Sequence, residues 1–467
     1  MKQFIWTGLF MLVLVTVAAQ CGSAPSSADT VEKSDEVAQA DEARAAENDV
    51  AETRVTTERP TEDKQTPVSS TDQPTPESKA QTETETVLES SNPPADCTDP
   101  FAGSRLRFSP DTWTAESLAR FVGADVVDPD SGLKTNFCQH SVDYEDVLSG
   151  GPPPDGIPPI DNPTFDSIAS GDEWLADAQP VIALAVDEEA KAYPLAILTR
   201  HEIANDEIAG IPVAVTFCPL CNAAVVFKRE VNGEVLRFGV SGNLRNSDLI
   251  MWDNKTLSWW QQFTGEAIVG DLTGTQLEMI PAPLVAWKDF KAAYPNGTVL
   301  SNRERPYGQN PYVGYDSSPQ PFLFLGTPDP RLPATGRVLG VFSGQSAAAY
   351  PLSVIATKGV IEDTFEDQKI VIFYEPGQVS ALDKGSIADS KEVGSAAMFK
   401  SEVDGQALTF TYQEGVITDS ETGSEWDVFG RAIKGELAGK QLQPVLSHVH
   451  FWFAWVAFRP DTTIYGG

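Results

Sequence analysis

From residue 181 onward the chain is written in short apolar runs separated by turn residues. Residues 181–186 and 190–195 flank Asp187-Glu188-Glu189, a pattern that predicts a hairpin. The β-branched run 211–217 predicts a strand. Residues 225–230 and 234–240 flank Asn232-Gly233, a pair that tolerates positive φ and makes the tight turn of a hairpin. Residues 249–252 and 258–263 flank Asp253-Asn254-Lys255 and predict a further hairpin. Residues 284–294 have helical spacing, and Pro295-Asn296-Gly297 would stop that helix.

The pattern then recurs. Ala190-Lys191-Ala192-Tyr193-Pro194-Leu195 matches Ala347-Ala348-Ala349-Tyr350-Pro351-Leu352, and Phe227-Lys228-Arg229-Glu230-Val231-Asn232-Gly233 matches Phe399-Lys400-Ser401-Glu402-Val403-Asp404-Gly405. Ala267-Ile268-Val269-Gly270 matches Ala432-Ile433-Lys434-Gly435, and Trp260 and Trp287 fall opposite Trp426 and Trp452. The expected fold class is therefore α+β and β-rich. Two tandem related repeats of hairpins with short helices, 181–302 and 338–467, are joined by a Pro/Gly/Tyr-rich linker, 303–337, and pack as one body with a pseudo-two-fold. Residues 97–180 precede them as a wrapping segment. Its Pro/Gly-rich run 150–163 excludes regular helix or central strand.

The N-terminus changes the expected compartment. Residues 1–20 have the charged start, apolar middle and small-residue end of a secretory signal. Val17-Ala18-Ala19-Gln20-Cys21 resembles a bacterial lipobox and makes Cys21 the expected lipidation site, although Gln20 departs from the usual small residue and cleavage after Ala19 by an ordinary signal peptidase is the alternative. Residues 21–96, rich in Ala, Ser, Thr, Glu, Asp and Pro, read as a disordered acidic tether. The expected location is across the inner membrane, lipid-anchored at the cell envelope. A net charge of −34 argues against nucleic acid and against direct docking on anionic lipid. The membrane is thus expected to be met only through the N-terminal anchor, and protein partners stay open.

The chain has only 5 cysteines and 4 histidines. Cys218 and Cys221 close a Cys-x-x-Cys turn at the end of the run 211–217. Two thiolates at that spacing can share a metal ion or form a redox pair. Without gaps in the repeat, Cys218 falls opposite Glu375, Cys221 opposite Gln378 and His201 opposite Lys358, while Pro219 falls opposite Pro376. The shared residues read as fold, and the thiols and His201 as function. His448 and His450 alternate on a predicted strand of the second repeat, so both rings can face one side. The expected site is a zinc or copper ion on Cys218, Cys221, His201 and either His450 or His448, at the junction of the repeats. Two alternatives use the same residues differently: a thiol-disulfide oxidoreductase on the Cys pair, or a non-enzymatic glycan- or ligand-binding module whose cysteines are structural. Nothing in the sequence decides whether the protein is an enzyme. Cys97 and Cys138 are the natural pair for a structural disulfide outside the cytoplasm.

From about residue 138 to the C-terminus the chain resembles the bacterial domain of unknown function 3179 family. The resemblance is carried by Gly150-Gly151-Pro152-Pro153 with Asp155-Gly156-Ile157-Pro158-Pro159-Ile160-Asp161-Asn162-Pro163, by His201-Glu202-Ile203 with Asn205-Asp206, and by Thr216-Phe217-Cys218-Pro219-Leu220-Cys221. Phe238-Gly239-Val240-Ser241-Gly242, Arg245-Asn246-Ser247-Asp248, Thr264-Gly265-Glu266-Ala267-Ile268 and His450-Phe451-Trp452-Phe453-Ala454-Trp455 complete it. It implies a secreted or membrane-attached protein and brings no activity, substrate or cofactor.

Overall fold

The first hairpin forms as the alternation requires: Pro180–Val186 pairs with Glu189–Pro194, and Asp187 turns the chain at φ 53. The computed structural model describes Cys97, residues 99–303 and residues 307–466. The expected signal, the tether and Cys21 lie outside the described residues. All described residues belong to one compact unit.

The architecture is β-rich with a few short helices. After the first hairpin, the strand Ile203–Ile208 pairs with Ile211–Cys218, which pairs in turn with Ala223–Lys228. Phe238–Arg245 pairs with Asp248–Asp253, and Trp259–Gln261 extends that sheet. Three sheets of five, four and five strands result. Past residue 336 the element order is similar: the hairpin Arg337–Ser343 with Ser346–Pro351, the antiparallel set Val360–Phe365, Gln368–Glu375 and Ser395–Lys400, then a meander from Phe410–Gln413 to Ala432–Lys434. These strands make sheets of four, three and four.

Two expectations need correction. The helical spacing at 284–294 holds only for Trp287–Ala293, because Leu284–Ala286 is a strand paired with Pro180–Ile182. Sheet hydrogen bonds available from the first strand outweigh the weak local preference of three apolar residues. The Asn232-Gly233 turn closes a hairpin, with φ 53 and 81, but its strands are only Glu230–Val231 and Glu234–Val235. From Phe238 the chain leaves to build the next sheet.

A buried acid organises the turn 253–258. Asp253 accepts hydrogen bonds from the Lys255 and Thr256 amides, the Thr256 hydroxyl and Trp260 Nε1. Asp419 does the same work later, accepting from the Thr422 amide and hydroxyl, the Ser424 amide and Trp426 Nε1. Gly270, at φ 107, and Gly435, at φ 100, each lie against the serine of the neighbouring turn, where a Cβ would come within 2.9 Å of Ser258 and within 3.0 Å of Ser424.

The Pro-rich run 150–163 is ordered by polar ties to the body. Gly150 donates to the Gly242 carbonyl at 2.7 Å, and Asp155 N to the Val240 carbonyl at 2.8 Å. Gly242 permits this approach, because a Cβ there would sit 2.0 Å from the Pro152 carbonyl oxygen. Arg237 bridges Asp155 at 2.7 Å and Asp161 at 2.8 Å, and Asn205 ties Asp161 to the Phe238 backbone. A disulfide joins Cys97 to Cys138 across a separation of 41 residues. Segment 307–336 is equally well fixed: Asp316, fully buried, meets Arg337 at 3.2 Å, Lys391 at 2.9 Å and Ser380 Oγ at 2.5 Å.

The Asp253 cage gives a direct test of the fold. Asp253→Ala strands the buried Trp260 Nε1 and two turn amides, so a loss of about 2–4 kcal/mol is expected in urea unfolding. A change below about 0.5 kcal/mol would show that the turn forms without the carboxylate.

Candidate metal centre

The site begins with strand geometry. Cys218 is the last residue of Ile211–Cys218 and sits opposite Ala223, so Pro219 to Asn222 form the connecting turn. Asn222 takes φ 50 and its amide donates to the Pro219 carbonyl at 3.3 Å, which wraps Cys221 back toward Cys218. A second tight turn meets the first. Asn246 and Ser247, at φ 54 and 64, reverse the chain between Arg245 and Asp248. Asp248 therefore starts a buried strand, and Cys218 Sγ lies 3.7 Å from the Ser247 carbonyl, to which it donates.

Cys218, Cys221 and Asp248 bring two sulfurs and a carboxylate oxygen within 4.8 Å of one another. Among the described residues this is the one group of three Cys, His, Asp or Glu ligand atoms so close. Exposure is 1% for Cys218 and 0% for both Cys221 and Asp248. Asp248 Oδ2 accepts from Gln261 Nε2 at 2.7 Å and from the Phe263 amide at 2.9 Å. Its Oδ1 is buried with no hydrogen-bond partner among the described residues. Such an oxygen is costly in a core unless something polar reaches it.

Electrostatics carry the same mark. Burial pushes the Asp248 carboxyl up to about 7, although hydrogen bonds from Gln261 and Phe263 and contacts with both thiols pull the other way. Burial also raises Cys218, and raises Cys221 well above the ordinary thiol range. Glu202 is a fourth buried acid, pushed up to about 8 by burial and by the Asp248 charge. Burial is the largest cause of the shift in both Asp248 and Glu202. A redox-active thiol needs access and a lowered pKa, and neither cysteine has them. A cation would instead draw all these groups into their ionised forms.

The sequence-predicted histidines are placed elsewhere. His201 Nδ1 donates to the Pro158 carbonyl at 2.6 Å, and its Nε2 lies 3.1 Å from the Tyr307 hydroxyl, so the ring pins the Pro-rich run to segment 307–336. His448 and His450 are buried side by side, with ring centroids 5.9 Å apart. Burial holds His448 down at about 4, and burial, with His448 and Arg459 adding to it, holds His450 well below the usual histidine range. Both are neutral core rings. His450 reaches the centre indirectly: it packs at 4.2 Å on Phe263, whose amide holds Asp248, and its neighbour Phe451 donates to the Cys221 carbonyl at 2.9 Å. The Cys turn therefore faces the closing strand Ser447–Phe451 of the second half.

Sequence reasoning missed Asp248 beside the thiols, and weighed Glu202 only as a carboxylate orienting the His201 ring. The available signal was an acid placed directly before the continuous apolar run Leu249-Ile250-Met251-Trp252, where a buried strand has no use for a lone charge. The tryptophans near 252–260 and 452–455 are buried, as expected of core, and offer no stacking face to a sugar.

Beside the centre is a cavity of about 510 Å³. Its walls come from the Pro-rich run, the strand Phe238–Arg245, the turn residue Leu220, and Pro311 to Tyr315 with Phe322. Glu202 opens onto it. Tyr315 donates to the Leu220 carbonyl at 3.0 Å, and Ser247 Oγ to the Phe322 carbonyl at 2.7 Å, so segment 307–336 closes over both turns.

Fold and site define a β-rich protein with a buried two-thiol, one-carboxylate centre beside an open cavity. The chain belongs to the family described as Protein of unknown function (DUF3179), whose model matches residues 154–462. No curated protein and no solved structure is matched.

The buried acids set a pH signature. Unfolded, Asp248 and Glu202 titrate near about 4. Folded, they titrate at about 7 and about 8, so the metal-free native state holds more protons in between. Their stabilising contribution is complete below the unfolded values and is lost as pH rises through the folded ones. Metal-free protein is expected to lose urea stability between pH 5 and 8 relative to Glu202→Gln, which lacks one of the two groups; parallel profiles would contradict this.

Proposed function

We propose that this protein holds one metal ion on Cys218, Cys221 and Asp248. The observation that carries the reading is the buried, partnerless Asp248 Oδ1 beside two buried thiols. Two sulfurs and a carboxylate suit zinc better than copper(I), which favours sulfur alone. Three protein ligands leave a fourth position for water or a ligand, the arrangement of a reactive rather than a closed structural zinc site. The histidines of the second half act as neutral packing beneath the centre, through Phe263 and the Phe451 amide, in place of ligands.

We further read the two halves as a tandem duplication related by a pseudo-two-fold. The Asp253 and Asp419 cages support it, as do the Tyr193–Asp206 and Tyr350–Asp363 bonds. Reciprocal packing adds weight: Ser447–Phe451 lies on Ala223–Lys228, and Leu284–Ala286 lies on Ser395–Lys400. Residues 21–96 would hold this body away from the envelope on a lipid at Cys21.

Metal analysis of protein purified from the periplasm under reducing conditions tests the central claim. About one zinc per chain is expected, lost in Cys218→Ser/Cys221→Ser, and Asp248→Asn should weaken zinc by at least about tenfold. Wild-type protein that stays metal-free when offered zinc and copper would end the proposal. For the anchor, labelled palmitate should enter the full-length chain in a bacterial host and not its Cys21→Ser variant; equal labelling of both would assign the lipid elsewhere.

A further inference from the structure

The cavity beside the centre has a chemical character of its own. At about 510 Å³ it lies in the size range of small-molecule sites. Leu220 and Leu249 supply apolar wall, and Tyr312, Tyr315 and Phe322 supply aromatic wall. Among the described residues no lysine, arginine or histidine lines it, and Glu202 brings the only carboxyl group. Glu202 is 7% exposed, and its carboxyl oxygens have no hydrogen bond to any described residue. A carboxyl that is nine-tenths buried, unpartnered and opening into an aromatic cavity lacks a counterpart. The backbone at Glu202 is itself constrained, with φ 58, by its amide bond to the Leu198 carbonyl and by the Phe217 amide that its own carbonyl accepts. The backbone that carries the carboxyl is therefore fixed at the cavity wall.

We infer that this cavity binds a small organic cation, a primary ammonium group on an aromatic or branched apolar body, with the ammonium on Glu202 and the body among Tyr312, Tyr315 and Phe322. An ammonium offers three donors to a carboxylate that has none, and aromatic faces attract cations in desolvated sites. An anionic ligand would meet the opposite field. The inference does not depend on the metal. A dication on two thiolates and a carboxylate retains a net negative charge, and an empty, protonated centre carries no positive charge, so neither state repels a cation.

The test is calorimetric titration of the purified full chain, zinc-loaded and zinc-free, with 2-phenylethylamine, its neutral analogue 2-phenylethanol and the anion phenylacetate. The amine should bind at least about tenfold tighter than the alcohol, and phenylacetate should not bind. Glu202→Gln should reduce the amine to the level of the alcohol. Tyr312→Leu, which keeps the carboxyl, should weaken the amine more than the alcohol, and this arm stands if the Gln variant does not fold. Equal binding of amine and alcohol, preference for phenylacetate, undiminished amine binding in folded Glu202→Gln, or no heat from the amine at millimolar concentration would each overturn the inference. Metal content measured on the same samples separates the two readings. Zinc retained without amine binding removes only this one, and amine binding without zinc removes only the metal proposal.

Discussion

The structure depends on how four acidic side chains are kept in a core where none of the ion pairs among the described residues reaches them. Cys218, Cys221, Asp248 and Glu202 are all buried, and each is pushed toward its protonated form. Removing even one carboxylate from water costs several kcal/mol unless a partner compensates, so an empty site is held together by protons. That condition explains the surrounding construction. Two tight turns bring the groups together, segment 307–336 seals them from solvent, and the second half of the chain presses its closing strand against the Cys221 carbonyl. Residues of the chain far apart in sequence are thus spent on excluding water from one point.

Much of the fold was legible because it follows local rules. Alternation gave the hairpin 180–194, Asn232-Gly233 gave a turn at positive φ, and the prolines of 150–163 excluded regular structure there. Where long-range pairing decides, local pattern fell short. Leu284–Ala286 looks helical in isolation and becomes a strand because Pro180–Ile182 offers it an edge. The site was half legible for the same reason. Cys218 and Cys221 share a turn, so their spacing displays their proximity. Asp248 joins them from another sheet, through an Asn246-Ser247 turn whose position in space no spacing reveals. His201 shows the converse failure. Its having Lys358 opposite it in the second repeat suggested a ligand, whereas its ring ties the Pro-rich run to Tyr307, a job that depends on partners 43 and 106 residues away.

Several residues that carry the family resemblance acquire the same kind of structural explanation. Asp155, Asp161, Asn205 and Gly242 fasten the Pro-rich run across the strand Phe238–Arg245, and each has partners within the fold. Their polarity is consumed in shaping the cavity wall. Among the described residues the buried polar atoms without a hydrogen-bond partner include Asp248 Oδ1, Gln262 Oε1, His448 Nε2 and His450 Nδ1, and of these Asp248 Oδ1 lies beside the two thiols.

The second half supplies the comparison that gives this distinction force. Under the proposed duplication, Glu375, Pro376 and Gln378 occupy the turn where the first half has Cys218, Pro219 and Cys221. There the polar groups are used up within the protein. Gln378 accepts from Ser395 Oγ at 2.9 Å, its carbonyl accepts the Val393 amide, and Lys288 reaches both Glu375 and the Pro376 carbonyl. One turn geometry therefore supports two outcomes. Where side chains find partners in the fold, the turn is a structural corner and tolerates Glu, Gly and Gln. Where they are two thiols facing a carboxylate, the corner is left open, and under the proposed function a cation completes it.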